Sequence, residues 1–202
     1  MKSKKRNLVV FARAPRYGLV KKRLSKDVGS SEALRYYRTI FYRSLRVLHD
    51  NNKRWNSWLA ITPNNCMLNS AYSKNWRIFD QDAGNLGARM LKVLLLMPIG
   101  QTVLVGSDIP NLQKQNIVNA FNLLDRNDLV FGPANDGGFW LIGIRKNFSL
   151  GNKKYRRMFD SVRWSSRFAL SDTLKNTVSH KVGFVEEMED VDDVVVYKRY
   201  LS

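Results

Sequence analysis

Cysteine and histidine are nearly missing from this chain: Cys66 is its one thiol, and His49 and His180 are its two imidazoles. A lone cysteine excludes an intrachain disulfide, and three such ligands do not supply a structural zinc site, which takes four. Long apolar runs are missing as well. The longest, Val93 to Ile99, contains Pro98 and falls far short of the roughly 20 residues a membrane-spanning helix needs. The basic start MKSKKRN is like that of a signal peptide, but Leu8 to Ala12 is too short for an apolar signal core and runs directly into RAPR. The expectation is a soluble cytoplasmic protein with no membrane span.

Acidic residues are scarce too, 17 Asp and Glu against 34 Lys and Arg, and the formal charge is +17. Such an excess attracts polyanions. No RNP, KH or zinc pattern accompanies it, however, so a general basic compositional bias accounts for the charge better than a nucleic-acid partner does. Its distribution is more informative than its total. Residues 1–54 carry sixteen cations against only Asp27, Glu32 and Asp50, while six acids crowd into EEMEDVDD, Glu186 to Asp193. That cluster reads either as a solvated acidic turn or as carboxylates gathered around a cation.

With 202 residues and 44% hydrophobic content, the chain suits one globular domain, residues 1–202, able to bury a core unaided. Seven apolar, often β-branched runs read as strands: NLVVFA, SWLAIT, WRIFDQ, TVLVGS, DLVFGPA, FWLIGI and VGFVEE. Helical periods lie between most of them, at Leu34, Tyr37, Phe41, Leu45 and Leu48, then Leu86, Met90, Val93 and Leu94, then Ile117, Phe121 and Leu124. Ser31 and Ser166 read as helix N-caps, and a final helix is expected from Asp193 to Leu201. Strands alternating with helices predict an α/β fold whose mostly parallel central sheet is covered by helices on both faces. One connection is different: only NDGG joins DLVFGPA to FWLIGI, which predicts a hairpin or sharp bend.

Ligands of such sheets bind outside the carboxyl ends of the strands. The segments that follow the strands are cationic at the start of the chain and rich in aspartate towards its end. That separation of sign suits a phosphate-bearing ligand held partly by bases and partly through a divalent metal. In RAPRYGLVKKRL, five bases surround Pro15 and Gly18, giving either a phosphate-binding loop or a solvated basic turn. In SDIP, Asp108 either ligates Mg²⁺ or Mn²⁺ or caps a turn before Pro110. Asp190 and Asp192, two apart in an extended stretch, either point together at the metal or cap the last helix. In GPANDGGFWLIG, Asp136, Gly137 and Gly138 make either a tight turn or the floor of a ligand site. Trp140 and Trp164 read as core residues more readily than as stacking platforms.

The ordered set VVFARAPRYGLVKKRL, QDAGNLGARM, VLVGSDIP, VFGPANDGGFWLIG, VRWS and DVD resembles the small bacterial GT-A-type glycosyltransferases known as rSAM/selenodomain-associated transferase 1, within the nucleotide-diphospho-sugar transferase superfamily. More distantly it is similar to 2-phospholactate guanylyltransferase and the molybdenum cofactor guanylyltransferases. The resemblance implies a single-domain GT-A fold binding a nucleotide sugar or nucleoside triphosphate with Mg²⁺ or Mn²⁺, and a small-molecule acceptor. It implies glycosyl transfer, with nucleotidyl transfer and release of pyrophosphate as the alternative. Residue by residue it assigns Arg13, Pro15, Gly18, Lys21 and Arg23 to phosphate, and Gln81, Leu86 and Gly87 to the base side. Asp108 and Asp192 are assigned to the metal, and Asp108 and Asp136 to catalysis. Asn135, Gly137, Gly138 and Trp164 are assigned to the substrate. The chain departs from the pattern at Lys22, usually threonine, at Asn85, often aspartate, and at Asp193, where DVD lacks its usual T-P.

Overall fold

A computed structural model describes residues 5–63, 74–146, 155–189 and 194–200. All seven expected strands form, as β1 (Arg6–Arg13), β2 (Asn56–Thr62), β3 (Arg77–Asp80), β4 (Gly100–Gly106), β5 (Leu129–Pro133), β6 (Phe139–Lys146) and β7 (Val182–Phe184). They make one sheet in the order β3-β2-β1-β4-β6-β5-β7. Every neighbouring pair is parallel except the two that involve β6, which runs antiparallel to both β4 and β5. The short NDGG link therefore makes a hairpin. Because β6 is reversed, its beginning lies beside the carboxyl ends of β4 and β5, where Val105 faces Leu141 and Pro133 faces Phe139.

The central strands β1, β4, β5 and β6 are largely apolar because both faces of the sheet are covered there, while the edge strands β3 and β7 are more exposed. Alternation along β1 sends Leu8, Val10 and Ala12 into one core and Val9 into the other. The first core is closed by α2 (Ser30–Leu48), through Tyr37, Phe41, Leu45 and Leu48, and by α4 (Lys114–Leu123), through Ile117, Ala120 and Phe121. The second is closed by α3 (Leu86–Leu96), through Met90, Val93 and Leu94, together with Tyr155, Met158 and Phe159 and with Ala169 of α5 (Ala169–Lys175). A satellite cluster joins α1 (Leu24–Val28), α2 and α6 (Val194–Arg199), where Tyr36 and Tyr197 meet edge to face at 4.9 Å. The fold is thus the mostly parallel α/β sandwich expected, with helices on both faces.

Details at the helix ends differ from expectation. Helix α2 begins at Ser30 after Gly29, whose φ of +83° ends α1, so Ser31 lies inside the helix and caps nothing. Helix α5 begins at Ala169 with Phe168 at its N-cap, while Ser166 Oγ accepts from Phe168 N at 3.2 Å two residues earlier. The last helix is described from Val194 to Arg199, and its expected ends at Asp193 and Leu201 lie outside the described residues. Among the described residues no helix is long and apolar enough to cross a membrane.

Candidate active site

The carboxyl edge of the sheet opens into a cleft of two adjoining lobes, about 660 Å³ and about 360 Å³. Both are walled by Arg23, Asp108, Phe139 and Trp140, among others. The first lobe adds Arg13, Lys21, Lys22, Gln81 and Arg89. The second adds Asp136, Gly138, Trp164, Ser166 and Arg167.

The basic loop reaches the first lobe by turning sharply twice. Ala14 N is tied to Thr62 O at 2.7 Å, so the loop leaves β1 fixed to the end of β2. Gly18 and Lys21 then take positive φ values, +69° and +45°. For Gly18 that geometry explains the residue type, since nothing lies within 4 Å of where a Cβ would stand. Leu19 to Arg23 line the cavity, whereas Pro15 and Gly18 stand outside its wall. The left-handed turn at Lys21 carries its ammonium to Asp108 Oδ2 at 2.8 Å, with the lysine side chain only 4% exposed.

Asp108 follows β4 and is the carboxylate common to both lobes. Burial pushes its carboxyl up, but the Lys21 charge and hydrogen bond outweigh burial and hold it below its usual value. Beside it, Tyr37 donates to Arg13 O at 2.8 Å and shares a hydrogen bond with Ser107 Oγ at 3.0 Å, tying the ends of β1 and β4 to α2. Burial, with the Asp108 charge, lifts the Tyr37 phenol to about 12.

The glycines of the floor have separate reasons. Gly137 has φ +84°, and a Cβ on it would stand 2.3 Å from Arg167 O, so it meets the segment that covers the second lobe. Gly138 instead lines the cavity, and its N–H donates to Asp136 Oδ1 at 2.8 Å. The structure thus brings Asp136 and Gly138 to the wall of the second lobe, while Gly137 makes the turn and Asn135 is exposed to solvent outside the cavity wall. The covering segment is pinned by Arg163, whose guanidinium makes two 2.8 Å bonds to Asp172. Trp164 packs edge to face on Phe139 and Phe159 and also lines the second lobe, while Trp140 is a core residue whose Nε1 donates to Glu186 O.

On the far side, Gln81 is buried and holds the strand ends together, and Leu86 lines both lobes. Gly87 does not line either. It lets α3 approach Trp164, whose ring would lie 2.6 Å from a Cβ there. Asn85 caps α3 by accepting from Ala88 N at 2.9 Å. Asp192 lies outside the described residues. Two charged cavity residues were not singled out from the sequence, Arg89 and Arg167. Arg89 had a signal available: it stands one helical turn past Leu86 inside the quoted QDAGNLGARM. Arg167 had none, because its position depends on how the loop after VRWS folds.

Among the described residues no group of three or more His, Cys, Asp or Glu could hold a metal ion by itself. Asp108 nevertheless suits a hard cation, because Mg²⁺ is commonly held by one or two carboxylates together with ligand phosphates. A cationic lobe beside it is where those phosphates would lie.

An α/β sheet with this strand order, carrying a cationic cleft at its carboxyl edge, defines a nucleotide-utilising transferase fold, and the solved structures agree. A crystal structure of a protein from Desulfovibrio desulfuricans G20, described as a candidate nucleotide-diphospho-sugar transferase, superposes with a TM-score of 0.81 at 27% identity, over 96% of this chain and 87% of that one. The 4-diphosphocytidyl-2C-methyl-D-erythritol synthase of Anaerococcus prevotii (TM-score 0.55, 9% identity, 99% of each chain) shares the fold. So does the inositol-1-phosphate CTP transferase of T. maritima (TM-score 0.53, 11% identity, 98% and 96%). The chain belongs to the DUF2064 family, described as an uncharacterized protein conserved in bacteria, whose model matches residues 47–166. No curated protein matches it.

Proposed function

We propose that the chain is a glycosyltransferase that takes a sugar from a nucleotide diphosphate donor to a small acceptor, with Mg²⁺ or Mn²⁺. The observation that carries this reading is the division of charge between the lobes. Arg13, Lys21, Lys22, Arg23 and Arg89 face one carboxylate, Asp108, in the first lobe. In the second, Arg23 and Arg167 are balanced by Asp108 and Asp136 among aromatic walls. A nucleotide sugar is divided in the same way, into a diphosphate and a neutral polar sugar. Nucleotidyl transfer onto a phosphorylated substrate would put anions in both lobes, and the balanced second lobe suits that reading less well.

Lys22 and Arg23 would hold the diphosphate, and Lys21 would join them by leaving Asp108. Asp108, with Asp192 as the second sequence-based candidate, would hold the ion, which would supply Lewis-acid stabilisation of charge on the departing nucleotide. Trp164 and Phe139 would exclude water and face the apolar side of the sugar. Asp136 has Oδ1 committed to Gly138 N, which leaves Oδ2 to accept a hydroxyl of the sugar or the proton of the acceptor. The test is a thermal-shift panel of nucleotides and nucleotide sugars with and without Mn²⁺, since a ligand at a hundred times its Kd adds roughly 2.7 kcal/mol. Turnover then decides between the reactions. Release of nucleoside diphosphate is expected, and release of pyrophosphate from a triphosphate would replace this reading with nucleotidyl transfer.

A further inference from the structure

We infer that Arg13 and Arg89 form an anion site in the first lobe, built to take a phosphoryl or carboxylate group that the chain itself does not supply. The inference begins at Gln81, which is 1% exposed. Its Nε2 donates to Ala12 O at 2.8 Å and to Ala60 O at 2.9 Å, tying the ends of β1 and β2. Both amide hydrogens are thereby used, so Oε1 is turned away from the strands, where it accepts from Arg89 Nη1 at 3.0 Å. The same guanidinium lies 6.0 Å from the centroid of the Phe11 ring. A neutral amide and a ring hold the cation in place without neutralising it.

What is missing is an opposite charge. The Nε of Arg89 is buried and has no hydrogen-bond partner. No carboxylate pairs with Arg89 or Arg13 among the described residues. The charge acting on Arg89 is instead a like one: burial and, after it, Arg13 both push the guanidinium below its usual value. Surface arginines escape such a neighbour by swinging into solvent, but Arg89 is fastened to Gln81, and the exposed side chain of Arg13 stands beside it at the end of β1. Both line the same cavity. Planar guanidinium forks match the oxygens of phosphate and carboxylate. A neutral ligand in the cavity would leave the mutual repulsion standing, whereas an oxyanion between the two guanidiniums relieves it.

The anion could come from the nucleotide itself or from the second substrate, and only this assignment rests on the proposed function. Inorganic phosphate and pyrophosphate are titrated by calorimetry into the wild type and into Arg13→Met, Arg89→Met and Arg89→Lys, with circular dichroism to show that each is folded. The exposed side chain of Arg13 makes its variant the safer one for folding. Each methionine variant is expected to weaken both probes by about tenfold or more, the worth of a lost charge-assisted hydrogen bond. Arg89→Lys, which keeps the charge and loses the fork, is expected between them and the wild type. The double variant should lose less than the product of the single losses, because the two residues would share one anion. Phosphate that still binds through Arg89 in the presence of saturating nucleotide assigns the site to the second substrate, and phosphate displaced by nucleotide assigns it to the nucleotide. Variants that bind both probes as the wild type does, or a wild type that binds neither, overturn the site. If nucleotides bind while these variants remain unchanged, the site falls and the nucleotide reading stands. If phosphate binding depends on Arg89 but no nucleotide binds, the reverse holds.

Discussion

The two lobes of the cleft share a wall and differ in how their charges are held. In the first, cations come from a loop and a helix that strain to bring them together: Lys21 takes a left-handed φ, and Arg89 keeps a buried N–H without a partner. In the second, the charged groups are opposed and the backbone is the ordered part, with Gly137 wedged on Arg167 and Arg163 locked to Asp172. The lesson is that strain is spent where charge must be concentrated, and packing where shape must be kept. The exception is Asp108, which belongs to both lobes and whose partner Lys21 is almost wholly enclosed.

The largest expected effect tests the packed lobe. Gly137→Ala places a methyl group 2.3 Å from Arg167 O at a φ of +84°, so it should cost about 3 kcal/mol. For a chain of this size that corresponds to a fall in melting temperature of about 10 °C. An unchanged melting curve would mean that the covering segment is not seated on this turn.

Next comes the shared carboxylate. Asp108→Ala should remove the Mn²⁺-dependent part of nucleotide binding, about a hundredfold or roughly 2.7 kcal/mol, as read by calorimetry with and without Mn²⁺. Its pairing with Lys21 also makes a pH statement. Because the folded carboxyl is held below its usual value, the pair's contribution to stability is complete above the unfolded carboxylate range, about pH 4. It is lost only as the pH falls through the lowered folded value. Melting temperatures of wild type and variant should therefore differ by a constant amount from pH 6 to 8 and converge in acid.

The two regions were unequally legible in the sequence. Apolar periodicity located every strand, because burial on two faces leaves a direct pattern of residue types, and the shortness of NDGG limited that connection to a hairpin or a sharp bend, of which the hairpin is found. The roles of individual side chains were less accessible. The pairing of Lys21 with Asp108 depends on one backbone angle in a loop, and Gly87 serves Trp164 from 77 positions away in the chain, neither of which leaves a local pattern. Lys146 is a further case. At the end of β6 no sequence pattern marks it out, yet it is buried and donates to Leu94 O at 2.9 Å, Leu95 O at 3.1 Å and Met97 O, capping α3, while burial brings its ammonium down to about 8. The motifs located the cleft. They did not say which of their residues face the cavity and which hold its wall.

A smaller effect sharpens the cationic lobe. Lys21→Met removes the ammonium from Asp108, so if Lys21 is displaced to phosphate when ligand binds, nucleoside diphosphate affinity should fall about tenfold. Mn²⁺ without nucleotide should bind more tightly, because the carboxylate no longer has a competing cation. Paramagnetic resonance of free Mn²⁺ measures the second quantity directly. A fall in both affinities would mean that Lys21 positions Asp108 for the ion rather than competing with it.

The smallest effects separate the lobes most cleanly. Asp136 holds Gly138 N through Oδ1, and a Cβ on Gly138 would lie 3.0 Å from that same oxygen. Asp136→Asn keeps a carbonyl oxygen for the N–H, so the turn survives, but it exchanges the charged acceptor at Oδ2 for an amide donor. Gly138 has no positive φ to protect, so Gly138→Ala should cost the fold less than Gly137→Ala and act chiefly by pushing the carboxylate or narrowing the cavity. Both variants should weaken a nucleotide sugar by about threefold to tenfold, the range of one hydrogen bond, and leave its parent nucleoside diphosphate unchanged. Equal losses for the two ligands would place the sugar elsewhere. Affinities identical to wild type for both would leave the aspartate and its glycines as a turn and nothing more.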